Sequence, residues 1–541
     1  MDIKDFILQN AIIDDGPPVR YQVKPHKRNL DAVNDCESKL RIWSTGKKDP
    51  STQNKTILLV GETGSGKSTM INSLLNYVMG VKDGDDCWFE IVEEMQEASS
   101  ESITEKVTVY ELFGFKGKSI SYSLTIIDTP GFGDTRGIER DAMISRTLLD
   151  LFRSEEGIHQ IDVVGLVLKA PENRLSDRMR YTLDSVMSLF GKDMQRNVVA
   201  LLSHSDGMPP KNALKALEDS KIRCARKENG QPVYFLFNNC LSTEKTEDTE
   251  FGLGQAWQIT TRGMKQFTSF LEKSTPQTLE VTVNVLNERI QLEACINNLV
   301  ERMKHITLKQ EEIQQTQKQL EERKEEVKNE KNFTIEVDEP YKEKTPIDGG
   351  TWLFWYGGAV TCSTCEENCH YPGCTLAWSP KHCEVMKKGR CTSCTNKCPA
   401  SDHVKEQKIY VSKTRKVTKT HEELKKKYQE GQQLCENLLE NLQTEKENLE
   451  RERNNWLDQA FRHVICLDQS ALNSNSVSTA AHLELLTEMM EERGDQEKVE
   501  KLKEISARVD EGTKAALRYC FTYLTDKGSK IKAMLAAPFQ R

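Results

Sequence analysis

Gly61-Glu62-Thr63-Gly64-Ser65-Gly66-Lys67-Ser68 follows the apolar run 56–60 and opens a segment of helical periodicity that continues toward Asn76. A strand, a glycine-rich turn and a helix in that order form an anion cradle. The glycines let the backbone close around phosphates, and the loop amides and helix N-terminus supply positive partial charge. In such a setting Lys67 is placed to reach the β and γ phosphates of a nucleotide, and Ser68 to bind Mg2+.

Working outward, the run 123–127 leads into Asp128-Thr129-Pro130-Gly131. This is a strand ending in Asp-x-x-Gly, where the carboxylate can hold Mg2+ and the glycine amide can sense the γ phosphate. The run 197–202 ends in Ser203-His204-Ser205-Asp206, and 233–237 in Asn238-Asn239. Asp206 can accept from both the ring N–H and the exocyclic amine of guanine, a donor pair that adenine lacks. His204 stands where a lysine is commonest, and its imidazole suits stacking on a base. With 163–168, these runs alternate with helical stretches and predict an α/β domain, a mostly parallel sheet with helices on both faces. Each motif follows a strand's C-terminal end, where open α/β sheets bind ligands.

Taken together, 61–69 (through Thr69), Ser102-Ile103-Thr104-Glu105-Lys106, Asp128 to Asp134, Ser203 to Asp206 and Phe237-Asn238-Asn239 resemble the septin-like, immunity-associated GTPases of the avirulence-induced or GIMAP type. The resemblance covers 56–273. It implies a P-loop GTPase fold, GTP or GDP with Mg2+, Thr104 as the switch threonine on Mg2+ and the γ phosphate, and Asn239 at the base. Ser102 is close enough that either hydroxyl suits the switch role.

Phe132 occupies the position where Ras-like proteins carry the glutamine that orients the attacking water. Slow hydrolysis is therefore expected, and the resemblance, in which nucleotide sits at a contact between two G domains, implies that GTP favours such contacts. Arg136 or Arg140 is a candidate for a charge supplied in trans.

Beyond Pro276, Val285, Leu292, Leu299, Ile306, Ile313, Leu320 and Val327 recur every seven residues, and a second such run holds Tyr428, Cys435, Leu442, Leu449 and Trp456. These predict two helices of an antiparallel coiled coil flanking a compact knob at its tip; the competing reading is two helices that cover a globular core. Strand-like segments 333–337 and 409–417 open and close the knob.

Eight of the 16 cysteines fall within it: Cys362, Cys365, Cys369, Cys374, Cys383, Cys391, Cys394 and Cys398, accompanied by His370, His382 and His403. Two C-x2-C pairs with several further Cys and His donors point to closed, tetrahedral Zn2+ sites that stabilise a segment short of apolar surface. Their spacings are too tight for a RING arrangement. The pairing of ligands stays open at this level.

The 541 residues carry a net charge of −8 with acidic and basic residues interspersed, which argues against a nucleic-acid footprint. The acidic first twenty residues do not read as a signal peptide, and no apolar run is long enough to span a bilayer, so a cytoplasmic location is expected. The predicted organisation is an N-terminal extension (1–52), a G domain (53–275), a coiled-coil helix (279–332), the Cys/His insert (333–417), a second coiled-coil helix (418–462) and a helical tail (463–541). The functional expectation is a slow, Mg-dependent GTPase acting as an assembly or scaffold switch, homo-oligomeric through the G domain, the coiled coil or both. Its alternatives are a force-transmitting or membrane-remodelling GTPase and a scaffold with permanently bound nucleotide.

Overall fold

A computed structural model describes residues 3–29, 40–92, 106–114, 119–131, 138–171, 177–219, 222–322, 334–347, 358–374, 379–420, 423, 434–474 and 477–508. The chain forms two compact units. One comprises Met1–Leu286, Asp468–Ala481 and Ile505–Arg541, the other Asn287–Leu467 and His482–Glu504.

The first unit is built on an eight-stranded sheet. Its strands are β3 (His26–Asn29), β4 (Leu40–Thr45), β5 (Asn54–Val60), β7 (Val107–Leu112), β8 (Ser123–Asp128), β10 (Val163–Lys169), β11 (Val198–Ser203) and β12 (Tyr234–Leu236), in the order β12-β11-β10-β5-β8-β7-β4-β3. The five strands expected from their apolar runs are adjacent and parallel. Strands covered on both faces read as continuous hydrophobic runs, and Ile57, Leu58, Leu59 and Val60 are indeed fully buried. Beyond β8 the sheet continues with β7 antiparallel to it, β4 parallel to β7, and β3 antiparallel at the edge.

The stretch read as an N-terminal extension contributes β3 and β4 to this sheet. It also supplies α1 (Ile3–Gln9), β1 (Ala11–Asp14) and β2 (Val19–Gln22), the last pairing with β6 (Cys87–Glu90). Its hold is aromatic and ionic. Phe6 and Tyr21 each lie 5.4 Å, ring to ring, from Phe89, and Arg20 bonds Glu90 at 2.8 Å. The helices of the unit are α2 (Lys67–Met79), α3 (Ile138–Arg153), α4 (Asp177–Met187), α5 (Lys211–Asp219) and α6 (Glu250–Lys273). At the base of β5, the fully buried Lys55 bonds Asp162 at 2.9 Å and the Ser274 carbonyl at 2.8 Å, anchoring the end of α6. Strands β9 (Gln160–Ile161) and β13 (Gln277–Thr278) pair beside it.

The C-terminal region is helical, with α7 (Glu280–Glu322), α8 (Leu434–Ser470), α9 (Val477–Arg493) and α10 (Gln496–Ala507). In the second unit α7 and α8 meet antiparallel. Glu288 bonds His463 at 2.7 Å, and the Arg302 guanidinium lies 3.6 Å from the Trp456 ring centre. Asp458 of α8 accepts from Arg493 at 2.6 Å and from Lys498 at 2.7 Å, so α9 and α10 join the packing and the helices form more than a two-helix hairpin.

The segments expected to open and close the insert are longer than foreseen and pair with each other. Strand β14 (Thr334–Pro346) runs antiparallel to β20 (Lys408–Thr420) over 13 residues. This ribbon lies along the second half of α7. There Gln315 and Gln319, one turn apart, bond Asp338 and Glu336, two residues apart on the strand. The insert proper is a small sheet of β15 (Gly358–Cys362), β16 (Glu367–Cys374) and β19 (His403–Glu406), with β17 (Met386–Lys387) and β18 (Arg390–Cys391) in its loop. The expected position at a stalk tip is corrected here. The cysteine core packs against the flank of α7 at Ala294, and Asn298 and Arg302 of that helix bond Ser393. Among the described residues no helix is long and apolar enough to cross a membrane.

Candidate nucleotide site and cysteine cluster

The glycine-rich loop joins β5 to α2 at the C-terminal edge of the sheet. Gly64 and Gly66 have φ of +77° and +98°, conformations that L side chains rarely adopt and that turn the backbone tightly before the helix. Thr63 and Gly64 are exposed at the crown, Ser68 is half-buried in the first turn, and Ser65 is buried with no hydrogen-bond partner for its Oγ among the described residues. Lys67 is buried and donates to the carbonyls of Gly61 and Glu62, both at 3.0 Å, so its ammonium folds across the loop. Burial lowers its pKa to about 8, against the pull of the negative Asp128 and Glu62.

Three elements close on this loop. Asp128 is fully buried at the end of β8, and Thr129 donates to the Leu59 carbonyl at 2.9 Å, tying the Asp-x-x-Gly turn to β5. Gly131 lies against the loop itself, since a Cβ there would stand 2.5 Å from the amide nitrogen of Thr63. From β11, Ser203 donates to the Ser65 carbonyl at 2.7 Å and sits 2.9 Å from His204 Nδ1. Ser203 was quoted within its motif but not expected to brace the phosphate loop; its place directly at the strand end is the signal that would have shown it.

His204 is exposed with φ of +53°, and Asp206 is exposed with one carboxylate oxygen accepting the Met208 amide at 2.9 Å. Asn239 is turned inward. Its amide faces Met70 Sδ at 3.6 Å, and Thr260 donates to its oxygen at 3.4 Å. A contact from its side chain to a base would need that amide to rotate outward. Thr104, Ser102 and Phe132 lie outside the described residues.

A glycine-rich turn at a helix N-terminus, a buried lysine and a buried carboxylate at the adjoining strand end can hold a polyphosphate with a divalent cation. Residues 55–250 match the AIG1 family. They are an AIG1 family domain. The chain is 30% identical over 159 residues to immune-associated nucleotide-binding protein 3 of Arabidopsis thaliana, covering 29% of this chain and 40% of that one. It is 28% identical over 165 residues to GTP-binding protein A of Dictyostelium discoideum, covering 30% and 31%. The chain thus spans less than half the length of the curated relatives it matches. Among solved structures it is similar to Toc33 of Arabidopsis thaliana in complex with Mg2+ and GMPPNP, and with GDP and Mg2+. The identities are 18% and 17%, with 42% and 41% of this chain and 88% and 87% of the other covered, at TM-scores of 0.29 and 0.28. The motifs that carry the AIG1 domain's chemistry all lie within the matched span.

In the second unit the sheet β15-β16-β19 and the loop 391–398 bring most of the predicted cysteines together. Among the described residues three groups of donors form, the ligand atoms of each within 4.8 Å of one another: Cys362, Cys365, Cys394 and Cys398; Cys369, Cys391, Cys394 and His403; and His370, Cys383 and Glu384. His403 Nδ1 lies 2.9 Å from the Pro399 carbonyl, which makes Nδ1 the protonated nitrogen and leaves the buried Nε2 as the ring's acceptor, beside Cys391 and Cys394. Backbone amides point at sulfur: Cys365 N at Cys362 Sγ (3.4 Å), Cys394 N at Cys391 Sγ (3.3 Å) and Cys398 N at Cys394 Sγ (3.2 Å). Such amides favour thiolate, the form that binds metal. Neighbouring thiols and His403 hold the Cys391 thiol well below its ordinary range, and Cys369 is raised in return.

His382 is not brought to these groups. It is exposed, beside Ser379 Oγ at 3.4 Å. The Cys374 side chain lies outside the described residues. Glu384 was missed because a lone glutamate in a charged sequence carries no ligand signal until the fold places it 3.3 Å from His370 Nδ1.

Proposed function

We propose that the AIG1 domain binds GTP with Mg2+ and hydrolyses it slowly, and that nucleotide state controls assembly of copies of this chain. The carrying observation is the contact of Gly131 with Thr63, which couples the Asp-x-x-Gly turn to the phosphate loop so that a γ phosphate is felt by both. Lys67 and the loop amides bind the phosphates. Ser68 and Asp128 hold Mg2+, with Thr104 completing its shell. Asp206 reads guanine, His204 stacks on it, and Asn239 lies nearby. The Dictyostelium relative is a GTP-binding protein by name, in keeping with a guanine site here. Phe132 leaves no side chain in its motif to orient the attacking water, hence slow turnover. The cysteine-rich insert holds structural Zn2+: the amide-to-sulfur bonds, the Nε2 of His403 and the donor set suit it. Its ligands are drawn from the three groups above, and the surrounding helices present a partner surface from a cytoplasmic protein.

Titration of the full chain with fluorescent GTP and ATP analogues, with light scattering in each nucleotide state, tests this reading. GTP is expected to bind at least about a hundredfold tighter than ATP, Lys67→Ala to abolish binding, and the mass to rise with the GTP analogue. Equal affinity for ATP would remove the guanine assignment. Identical masses in every state would remove the assembly switch.

A further inference from the structure

Two of the three donor groups overlap in one atom. Cys394 Sγ belongs both to the set with Cys362, Cys365 and Cys398 and to the set with Cys369, Cys391 and His403. Cys394 is fully buried at the centre of the cluster, and its sulfur accepts the Cys398 amide. Cys365 and Cys398 sulfurs lie 3.6 Å apart, far from the roughly 2.05 Å of a disulfide and near the ~3.8 Å edge of a tetrahedron with Zn–S bonds of about 2.3 Å.

Two tetrahedral ions need eight ligand positions, and these two sets supply seven donors. With separate ions and no sharing, one site would lack a ligand inside a buried, water-poor core. Sharing one thiolate closes both. It also limits buried charge, because six thiolates against two dications leave a net charge of about −2.

Resting on the zinc reading above, we propose that this insert holds a two-zinc centre in which Cys394 is a bridging thiolate, with Cys362, Cys365 and Cys398 on one ion and Cys369, Cys391 and His403 on the other. The centre stitches the end of β15, β16, the start of β19 and the loop 391–398 through one atom. Both ions are fully coordinated, so the centre is a structural crosslink with no position for substrate water.

The full chain loaded with 113Cd in place of zinc provides the test. Two cadmium resonances are expected, one in the four-sulfur region and one in the region of three sulfurs and a nitrogen, each split by coupling to the other through the shared sulfur. In Cys365→Ser, at a half-buried position, the four-sulfur signal should vanish or shift and its partner lose its splitting if the first ion leaves. A third, uncoupled signal from the His370 group leaves the expectation intact. Bound metal with unsplit resonances would overturn the bridge and leave the zinc reading standing. Absence of any bound metal by elemental analysis of the protein as purified would overturn both.

Discussion

Lys67 is the residue on which the nucleotide site is most sensitive to pH. Its folded pKa of about 8 lies below the ordinary 10.5 because burial disfavours the ammonium. Between those values the unfolded chain binds more protons than the folded one, so this lysine makes nucleotide-free protein more stable as pH rises from about 8 to 10.5. The wild type should gain on Lys67→Met across that window in chemical denaturation. Phosphate binding demands the charged amine, so affinity for Mg-GTP should fall by up to about tenfold per pH unit above 8. Calorimetry at pH 9 in buffers of different ionisation enthalpy should register uptake of a proton, absent in Lys67→Met. At Gly131, alanine would force its Cβ against the Thr63 backbone, an overpacking that costs about 1–3 kcal/mol. Gly131→Ala should weaken Mg-GTP binding roughly tenfold while melting stays cooperative.

Between elements, the buried fork of Arg302 and Glu367 does most to hold the cysteine loop to α7. Arg302 Nε donates to Glu367 at 2.9 Å and an Nη to the Ser393 carbonyl at 2.7 Å, while Glu367 also accepts the Thr395 amide at 2.9 Å. Burial alone would raise the Glu367 pKa, yet these donors bring it below the usual carboxylate range. Its contribution to stability is therefore present above the unfolded carboxylate pKa and lost as pH falls through the folded one. Arg302→Leu leaves a buried carboxylate without its partner, and about 3–5 kcal/mol of stability should be lost in urea titration at neutral pH. Adding Glu367→Leu should restore much of it, since the unpaired charge is then gone. Gln315 and Gln319 of α7 satisfy the edge of β14, so this part of the helix turns those side chains to the ribbon.

For the molecule as a whole, metal removal is the informative perturbation. The insert buries a core of cysteines and a few aliphatic side chains, so bound metal should contribute much of its folding free energy. Stripping the full chain with a strong chelator should abolish hydrogen-exchange protection in β15, β16 and β19, and excess zinc should restore it. Protection that survives complete metal loss would show that packing on α7 suffices.

The sequence by itself determined the α/β domain and the phosphate loop, because both depend on local order: five apolar runs, four of them followed within a few residues by the candidate site motifs. It also singled out the thiols, by their density within one short segment. Only the tertiary structure decided that β3 and β4, from the stretch read as an extension, belong to the sheet, that Asn239 turns inward while Ser203 braces the loop, and that the insert lies along the flank of α7. These depend on strand neighbours and on pairs such as Arg302 and Glu367, 65 residues apart, for which local periodicity carries no signal. The grouping of the thiols has the same origin. Spacing reveals that Cys391 and Cys394 share a turn, but only the folded sheet brings Cys362, Cys369 and His403 to the same sulfur.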